Sequence, residues 1–254
     1  MLRYEAVGET RVAFAAAHGA LLAQASAILK ACTLPIIVHD HVRAGVLGTA
    51  TLLQGEGGPV LLTASHLFDH GVRLGNLLLP TAAGHGLVPL AGALLTRCKG
   101  ADIALLRLAD DRAARALVAG RGMVPALRRR GERHARSRRR KGAVLVSGFP
   151  AAMSRFERGW LAARRFTVLT HSTVAQPGAC GTDRWFEFGR TAWRDDGAAV
   201  HTPELEGMSG AGIWMLETGA SAPRLRLGAV QSAYMHGRYL RGHDIGAAAD
   251  LFAD

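Results

Sequence analysis

Cysteines are few in this chain of 254 residues. The three present, Cys32, Cys98 and Cys180, are odd in number and widely spaced, and no CxxC pair occurs. This pattern excludes a disulfide framework and offers no zinc-ligand spacing, so we predict no metal site. It also favours a reducing compartment, and we expect the protein to be cytoplasmic.

Long apolar runs are also missing. No stretch of about 18 residues is free of polar interruption, so no membrane span is predicted. The chain nevertheless has enough apolar residues for a sizeable core, since hydrophobic residues make up 49% and charged residues only 20% of it. This composition excludes a disordered chain. The 31 glycines follow no three-residue period, which excludes a collagen-like one.

Acidic residues are scarce relative to basic ones, with 20 against 31 and a net charge of +11. The excess is local. Nine of the basic residues and one acidic residue lie between Arg128 and Lys141, so this segment contributes +8 and the rest of the chain only +3. Such a run is typical of a solvated loop that repels itself. The alternative is a weak contact with an anionic partner, such as a nucleic acid or a membrane surface.

The N-terminal region contains an alanine-rich apolar stretch over residues 12–29. Glu5 and Glu9 precede it, and His18 and Gln24 interrupt it, whereas a signal peptide begins with a short positive segment. We therefore predict an amphipathic helix that packs on the body of the protein. A signal peptide over residues 1–27, and hence export, stays open as an alternative.

Short apolar runs bounded by turn residues predict strands rather than long helices. The predicted strands are 34–39, 45–53, 59–64, 87–95, 103–108, 142–148, 166–170, 185–188, 212–216 and 225–232, with helices over 110–118 and 245–252. Two groups of strands on either side of the basic segment indicate two β-barrels. The predicted organisation is a helical extension (1–31), a first barrel (32–127), a basic linker (128–141) and a second barrel (142–254).

Three short segments carry residues with catalytic chemistry. His66 ends an apolar strand in Leu61-Leu62-Thr63-Ala64-Ser65-His66, Asp102 opens the apolar run Ile103 to Leu108, and Ser209 lies among glycines in Glu206 to Gly212. Each alone has an ordinary structural explanation, as a satisfied histidine, a turn aspartate and a glycine-rich turn. Together, and in the order His, Asp, Ser, they match the order of the chymotrypsin-type triad.

At these residues the sequence resembles the trypsin-like, chymotrypsin-fold serine peptidases. The resemblance rests on TASH at His66, DIALLRL from Asp102 and GMSGAG at Ser209, and extends to Gly48-Thr49-Ala50 and to the segment from Leu227 to Ser232. It spans about residues 34–252. It implies an all-β fold of two six-stranded antiparallel barrels, an N-terminal helix, a short C-terminal helix and an active site between the barrels.

The resemblance also implies roles for these residues in hydrolysing a protein or peptide substrate without a cofactor. Ser209 is the nucleophile, since a serine hydroxyl needs a base to become reactive. His66 is that base, and Asp102 orients it. The backbone N–H groups of Gly207 and Ser209 form the oxyanion hole. The substrate pocket falls at Pro203, Gln231, Ser232 and Ala233, where either Ser232 or Gln231 is the residue that supports Asp102.

Two departures from the family pattern leave the active state open. Met208 stands before the nucleophile, where members activated by cleavage have an aspartate that pairs with a new N-terminus. Leu67 follows His66, where members with a disulfide at this loop have a cysteine. Both departures fit an intracellular bacterial-type member. The oxyanion loop is then held by packing or ordered by a ligand, and the latter makes the protein a latent or non-catalytic binding module.

Overall fold

Two antiparallel sheets contain nearly half of the residues that the structure, a computed structural model, describes. These residues are 19–40, 44–55, 57–69, 71–82, 86–121, 143–157, 160–175, 179–193, 199–217 and 224–252. The predicted basic linker at 128–141 and most of the N-terminal extension therefore lie outside the described residues.

In the described ranges the first sheet has seven strands, one more than the resemblance implies. They are β1 (Thr33–His39), β2 (Ala44–Gly55), β3 (Gly58–Ala64), β4 (Leu77–Pro80), β5 (Leu87–Pro89), β6 (Leu94–Cys98) and β7 (Ile103–Arg107). Their order in the sheet is β5-β4-β1-β2-β3-β7-β6. The single strand predicted over 87–95 is wrong, because a turn at Gly92, with φ of +78°, divides it into β5 and β6.

The described part of the second sheet has eight strands rather than six, and a separate hairpin lies beside it. The sheet contains β8 (Ala143–Gly148), β11 (Phe166–His171), β12 (Asp183–Glu187), β13 (Thr191–Trp193), β14 (Ala199–His201), β15 (Gly212–Glu217), β16 (Arg224–Met235) and β17 (Tyr239–Asp244), and the hairpin consists of β9 (Ser154–Glu157) and β10 (Trp160–Ala163). The order in the sheet is β12-β17-β16-β15-β8-β11-β13-β14.

Two α-helices are described. Helix α1 (Gly19–Cys32) places Ala25, Leu29 and Cys32 on one buried face. Helix α2 (Asp111–Val118) begins after Asp110, whose side chain caps it by accepting the Arg112 N–H at 2.8 Å. The predicted C-terminal helix is a 3-10 helix over Ile245–Phe252. No helix in the described part of the chain is both long and apolar enough to cross a membrane.

Among the described residues, the buried apolar side chains form two clusters. The larger cluster joins Leu29 of helix α1, residues of the first sheet such as Ile36, and residues of the second sheet such as Trp214 and Val230. The smaller cluster lies within the second sheet and includes Met208. Because the larger cluster draws on both sheets, the sheets and helix α1 share one interior.

Candidate active site

The ends of strands β3 and β7 bring His66 and Asp102 together. These strands are antiparallel, and Ala64 pairs with Ile103. The residue after Ala64 and the residue before Ile103 therefore leave the sheet at the same edge. His66 lies in the 3-10 turn Ser65–Phe68 that follows β3, and Asp102 directly precedes β7. The register of the sheet thus places the imidazole and the carboxylate side by side.

Three hydrogen bonds join Asp102 to the turn that carries His66. Asp102 Oδ2 lies 2.7 Å from His66 Nδ1, and Asp102 Oδ1 accepts the His66 backbone N–H at 2.8 Å. The Asp102 carbonyl accepts the Ser65 N–H at 3.1 Å. Because a carboxylate only accepts, Nδ1 carries the imidazole proton, and Nε2 of the neutral ring is left as an acceptor.

The backbone at Asp102 adopts an uncommon conformation. Its φ is +47° and its ψ is +40°, and no other non-glycine residue in the described ranges has a positive φ. Aspartate tolerates this left-handed region better than most residues, since its short side chain bonds locally. The side chain is 19% exposed and that of His66 is 39% exposed, so the imidazole opens to the surface with the carboxylate behind it.

Glycines shape the turn that carries Ser209. The φ angle is +88° at Gly207 and +93° at Gly210, in the left-handed region that favours glycine. A Cβ atom on Gly210 would lie 2.1 Å from the Thr49 carbonyl oxygen and 2.1 Å from Thr63 Oγ1. Any side chain at Gly210 would therefore push the Ser209 turn away from the first sheet.

The Ser209 turn lies against strands β2 and β3. Thr49 of β2 donates its backbone N–H to the Ser209 carbonyl at 2.8 Å. A Cβ atom on Gly210 would also lie 2.9 Å from the backbone nitrogen of Ala64, the last residue of β3. The second sheet thus presents Ser209 to the point where the His66 turn leaves the first sheet.

Gly48 marks the close approach between the two turns. A Cβ atom on Gly48 would lie 2.3 Å from Leu67 Cδ1 and 3.1 Å from the Ser209 carbonyl oxygen. Leu67 is the residue after His66, so the structure brings all three predicted triad residues to one region. The Ser209 hydroxyl makes no hydrogen bond within the described ranges, either to His66 or to another group.

The carbonyl groups of the predicted oxyanion loop all have partners. The Glu206 carbonyl accepts the Ala151 N–H at 2.6 Å, and the Gly207 carbonyl accepts the Thr49 hydroxyl at 2.9 Å. In the described part of the protein, the N–H groups of Gly207 and Ser209 donate to no protein acceptor. The loop therefore offers two backbone donors beside the Ser209 hydroxyl.

Met208 anchors this loop by packing. Its side chain is 0% exposed and belongs to the smaller core cluster. Its Cε atom would lie 3.1 Å from a Cβ atom on Gly148, at the end of β8. The burial of Met208 and the hydrogen bonds to the Glu206 and Gly207 carbonyls together hold the loop in this structure.

The four predicted pocket residues lie on two segments. Gln231 is 1% exposed and Ser232 8% exposed, whereas Pro203 and Ala233 are half-buried. The Gln231 carbonyl accepts the Gly210 N–H at 2.8 Å, so strand β16 borders the Ser209 turn directly.

Neither residue proposed to support Asp102 is hydrogen-bonded to it in the described ranges. The Ser232 hydroxyl donates instead to the Arg241 carbonyl at 3.4 Å, because strand β16 has a bulge between Gln231 and Ala233. The Gln231 side-chain oxygen is buried without a hydrogen-bond partner among the described groups.

A contact between the two predicted pocket segments was not anticipated. The Tyr234 hydroxyl donates to Glu204 Oε2 at 2.7 Å, which connects strand β16 with the segment before the Ser209 turn. Burial, followed by the hydrogen bond to Glu204, raises the pKa of Tyr234. The two residues are 30 positions apart, and no local pattern pairs them.

A second His–Asp pair joins the neighbouring strands β17 and β12, where His243 and Asp183 are register partners. His243 Nδ1 is 3.1 Å from Asp183 Oδ1, and both side chains are at most 10% exposed. Burial lowers the pKa of His243, although the carboxylates of Asp183 and Asp102 oppose this shift. No group of three or more His, Cys, Asp or Glu side chains suited to a metal occurs in the part of the chain that the structure describes.

A cavity of about 330 Å³ borders the oxyanion loop. Its lining includes Val46, Ala151, Glu206 and Gly207, with the remainder from the start of β2 and the end of β1. The sequence did not predict this cavity, since it forms where the first strands of one sheet meet a loop of the other.

No protein-family model matches this chain, and no curated protein matches it. Many solved structures do. A thermostable serine protease, AL20, from an extremophilic microorganism is 15% identical, with a TM-score of 0.53 over 88% of this chain and 95% of its own. A structure of the intrinsically disordered Sesbania mosaic virus VPg protein, described for coupled folding and binding through aromatic interactions, is 14% identical, with a TM-score of 0.49 over 87% and 88%. The first of these likenesses shows that the chain has the two-sheet, all-β fold of chymotrypsin type.

Proposed function

We propose that this protein is a serine endopeptidase that uses Ser209, His66 and Asp102 as its catalytic triad. The observation that carries the proposal is the double contact of Asp102 with His66, at 2.7 Å and 2.8 Å, beside the glycine-shaped turn of Ser209. A serine peptidase fold with 15% identity to a known protease is consistent with it.

The proposed mechanism begins with proton transfer from Ser209 to His66. Asp102 fixes the tautomer with the proton on Nδ1, so Nε2 accepts the proton of the Ser209 hydroxyl as Oγ attacks the scissile carbonyl. His66 then gives that proton to the leaving amine, and the C–N bond breaks to leave an acyl-enzyme. Water attacks the ester with His66 again as base, which releases the acid and restores Ser209.

The N–H groups of Gly207 and Ser209 are the proposed oxyanion donors. Both lack a protein acceptor among the described groups. The Glu206 and Gly207 carbonyls accept hydrogen bonds from Ala151 and Thr49, respectively. Donors fixed before the reaction stabilise the developing negative charge without reorganisation, and the loss of one raises the barrier by about 3 kcal/mol.

The substrate is a protein or peptide, which we propose to bind along Pro203, Gln231, Ser232 and Ala233. Pro203 supplies no charge at the base of this pocket, which favours a small or apolar side chain before the scissile bond. The cavity of about 330 Å³, which Gly207 lines and none of these four residues does, offers room for the leaving segment.

A library of peptides with defined sequences tests the activity. We expect the wild type to cleave peptides at internal bonds, with the products identified by mass spectrometry. Ser209→Ala should give no such products. Cleavage that persists in Ser209→Ala would assign the activity to a contaminant and contradict the proposal.

The alternative is a latent or non-catalytic binding module on the same fold. It is favoured by one observation, the absence of a hydrogen bond from the Ser209 hydroxyl to His66 within the described residues. Such bonds are often long in unliganded peptidases and shorten when substrate binds. A module of this kind would bind peptides with equal affinity in the wild type and Ser209→Ala, and would cleave none.

A further inference from the structure

Arg97 reaches from strand β6 to the turn that carries His66. Its Nη2 donates to the Ser65 carbonyl at 2.7 Å, and its Nε donates to Ser65 Oγ at 2.8 Å. Its Nη1 donates to the Phe68 carbonyl at 3.4 Å, and Nη2 also pairs with Asp69 Oδ1 at 2.5 Å. The side chain is only 19% exposed, so these bonds are partly shielded from water.

The acceptors of Arg97 lie on both sides of His66. Ser65 precedes the histidine, and Phe68 and Asp69 follow it. A 3-10 turn of four residues has poor internal hydrogen bonding and needs bonds from outside to stay in place. A guanidinium supplies them in a fixed planar fork, which a lysine ammonium cannot reproduce.

The same turn is the one that Asp102 holds. The Ser65 N–H and the His66 N–H donate to Asp102, while the Ser65 carbonyl and hydroxyl accept from Arg97. Ser65 is therefore hydrogen-bonded by both Asp102 and Arg97. Because the imidazole is 39% exposed, the position of this turn sets the position of Nε2 relative to Ser209.

We infer that Arg97 is a positioning residue that holds the His66 turn in register with Asp102 and Ser209. The inference rests on the proposed peptidase function for its catalytic consequence. Its structural consequence, the ordering of the Ser65–Phe68 turn, does not depend on activity. Because Asp69 offsets the positive charge of Arg97, we expect Arg97 to act on His66 by fixing the geometry of the turn and not by its charge.

Hydrogen exchange tests the structural part. In Arg97→Met we expect the amides of Ser65 and His66 to exchange at least about ten times faster than in the wild type, with the amides of strand β3 unchanged. Arg184→Met is the matched control. Arg184, in the other sheet, also donates two hydrogen bonds to a carboxylate, from Nε and Nη2 to Asp244 Oδ2. Unchanged exchange at the turn in Arg97→Met would overturn the inference.

The rate of inactivation by a fluorophosphonate tests the catalytic part. A displacement of about 1 Å costs up to about 100-fold in rate, so we expect a 10- to 100-fold decrease in Arg97→Met and a smaller one in Arg97→Lys. With a peptide substrate, kcat falls and KM does not. Arg184→Met stays within about twofold of the wild type.

The outcomes separate the two proposals. Failure of the wild type to react would contradict the peptidase function, and the exchange experiment would still decide the role of Arg97. Normal reaction of a folded Arg97→Met would contradict the positioning role alone. If Arg97→Met does not fold, Arg97→Lys decides, because equal rates in Arg97→Lys and the wild type contradict a role for the guanidinium fork.

Discussion

At the scale of single residues, Thr49 joins the first sheet to the oxyanion loop. Its hydroxyl donates to the Gly207 carbonyl at 2.9 Å and accepts the Phe149 N–H at 3.0 Å. Its backbone N–H donates to the Ser209 carbonyl at 2.8 Å. The residue is 0% exposed, so water cannot replace these bonds.

We therefore expect Thr49→Val to lower the free energy of unfolding by roughly 1–3 kcal/mol, because two partly buried backbone groups, the Gly207 carbonyl and the Phe149 N–H, lose their partner. Thr51→Val is the matched control. Thr51 lies two residues away in the same strand, and its hydroxyl is buried without a partner in the described ranges. Urea denaturation compares the two variants, and an equal loss in both would refute the role given to the Thr49 hydroxyl.

Gly210→Ala tests the close approach of the two sheets. The new methyl group would overlap Thr49 and Thr63, at 2.1 Å from an oxygen of each, in a backbone with φ of +93°. Overpacking and the unfavourable φ together are expected to cost at least about 3 kcal/mol. Gly75→Ala, where a Cβ atom meets nothing within 4 Å, should stay close to the wild type in thermal denaturation.

The pKa of His243 predicts a pH dependence of stability. Burial lowers this pKa below the ordinary value of 6.5, so the unfolded chain binds the proton more readily. The stabilisation is complete above pH 6.5 and declines as the pH falls toward the folded-state pKa. Each unit of depression corresponds to about 1.4 kcal/mol.

Denaturation between pH 7.5 and pH 5 measures this effect. His243→Asn should show a shallower loss of unfolding free energy over this interval than the wild type does. Identical slopes in the two proteins would mean that His243 has the same pKa folded and unfolded.

The sequence predicted a grouping of His66, Asp102 and Ser209 with the glycines beside Ser209. This was possible because each residue lies in a short segment whose residue types indicate its chemistry. Thr49 was identified only as part of Gly48-Thr49-Ala50, a segment to which the resemblance extends. Ala151 and Arg97 gave no signal, because their roles depend on which distant backbone groups the sheets bring to them. The grouping of the three predicted triad residues was thus predictable, and the groups that hold them in place were not.

At the scale of elements, strands with long apolar runs were predicted well, and short or polar strands were not. Strands β1, β3, β7, β8 and β11 lie within a residue or two of the predicted bounds. Strands β13 and β14 have three residues each, too few for a periodic pattern, and β17 reads Tyr-Leu-Arg-Gly-His-Asp. These strands exist because neighbouring strands supply hydrogen-bond partners, which no local propensity encodes.

Helix α1 shows how an element outside both sheets contributes to their core. Leu29 is 0% exposed and packs in the larger cluster. We expect Leu29→Ala to destabilise the protein by about 2–5 kcal/mol, through lost burial and the cavity that remains. Gln24, exposed on the same helix, provides the control, since Gln24→Ala should change the unfolding free energy by less than about 0.5 kcal/mol. Equal effects would show that the helix does not dock.

At the scale of the whole molecule, the two sheets should unfold together. The larger core cluster contains side chains from both, and Thr49 hydrogen-bonds across their interface. All four tryptophans belong to the second half of the chain, at positions 160, 185, 193 and 214. Three of them lie in the second sheet and Trp160 lies in the hairpin beside it, so tryptophan fluorescence reports on this half of the chain, whereas far-ultraviolet circular dichroism reports on both sheets.

We expect the fluorescence and circular dichroism transitions in urea to coincide, as for a two-state domain. Separate midpoints would show that the sheets are independent units, and the shared interior described above would then be wrong.

The reaction of Ser209 with a fluorophosphonate tests the central claim most directly, because the probe needs an activated nucleophile and no knowledge of the substrate. The wild type is compared with Ser209→Ala and His66→Ala, and the labelled peptide is mapped by mass spectrometry. The account predicts label on Ser209 in the wild type and none in either variant. A folded wild type that takes up no more label than Ser209→Ala would contradict it.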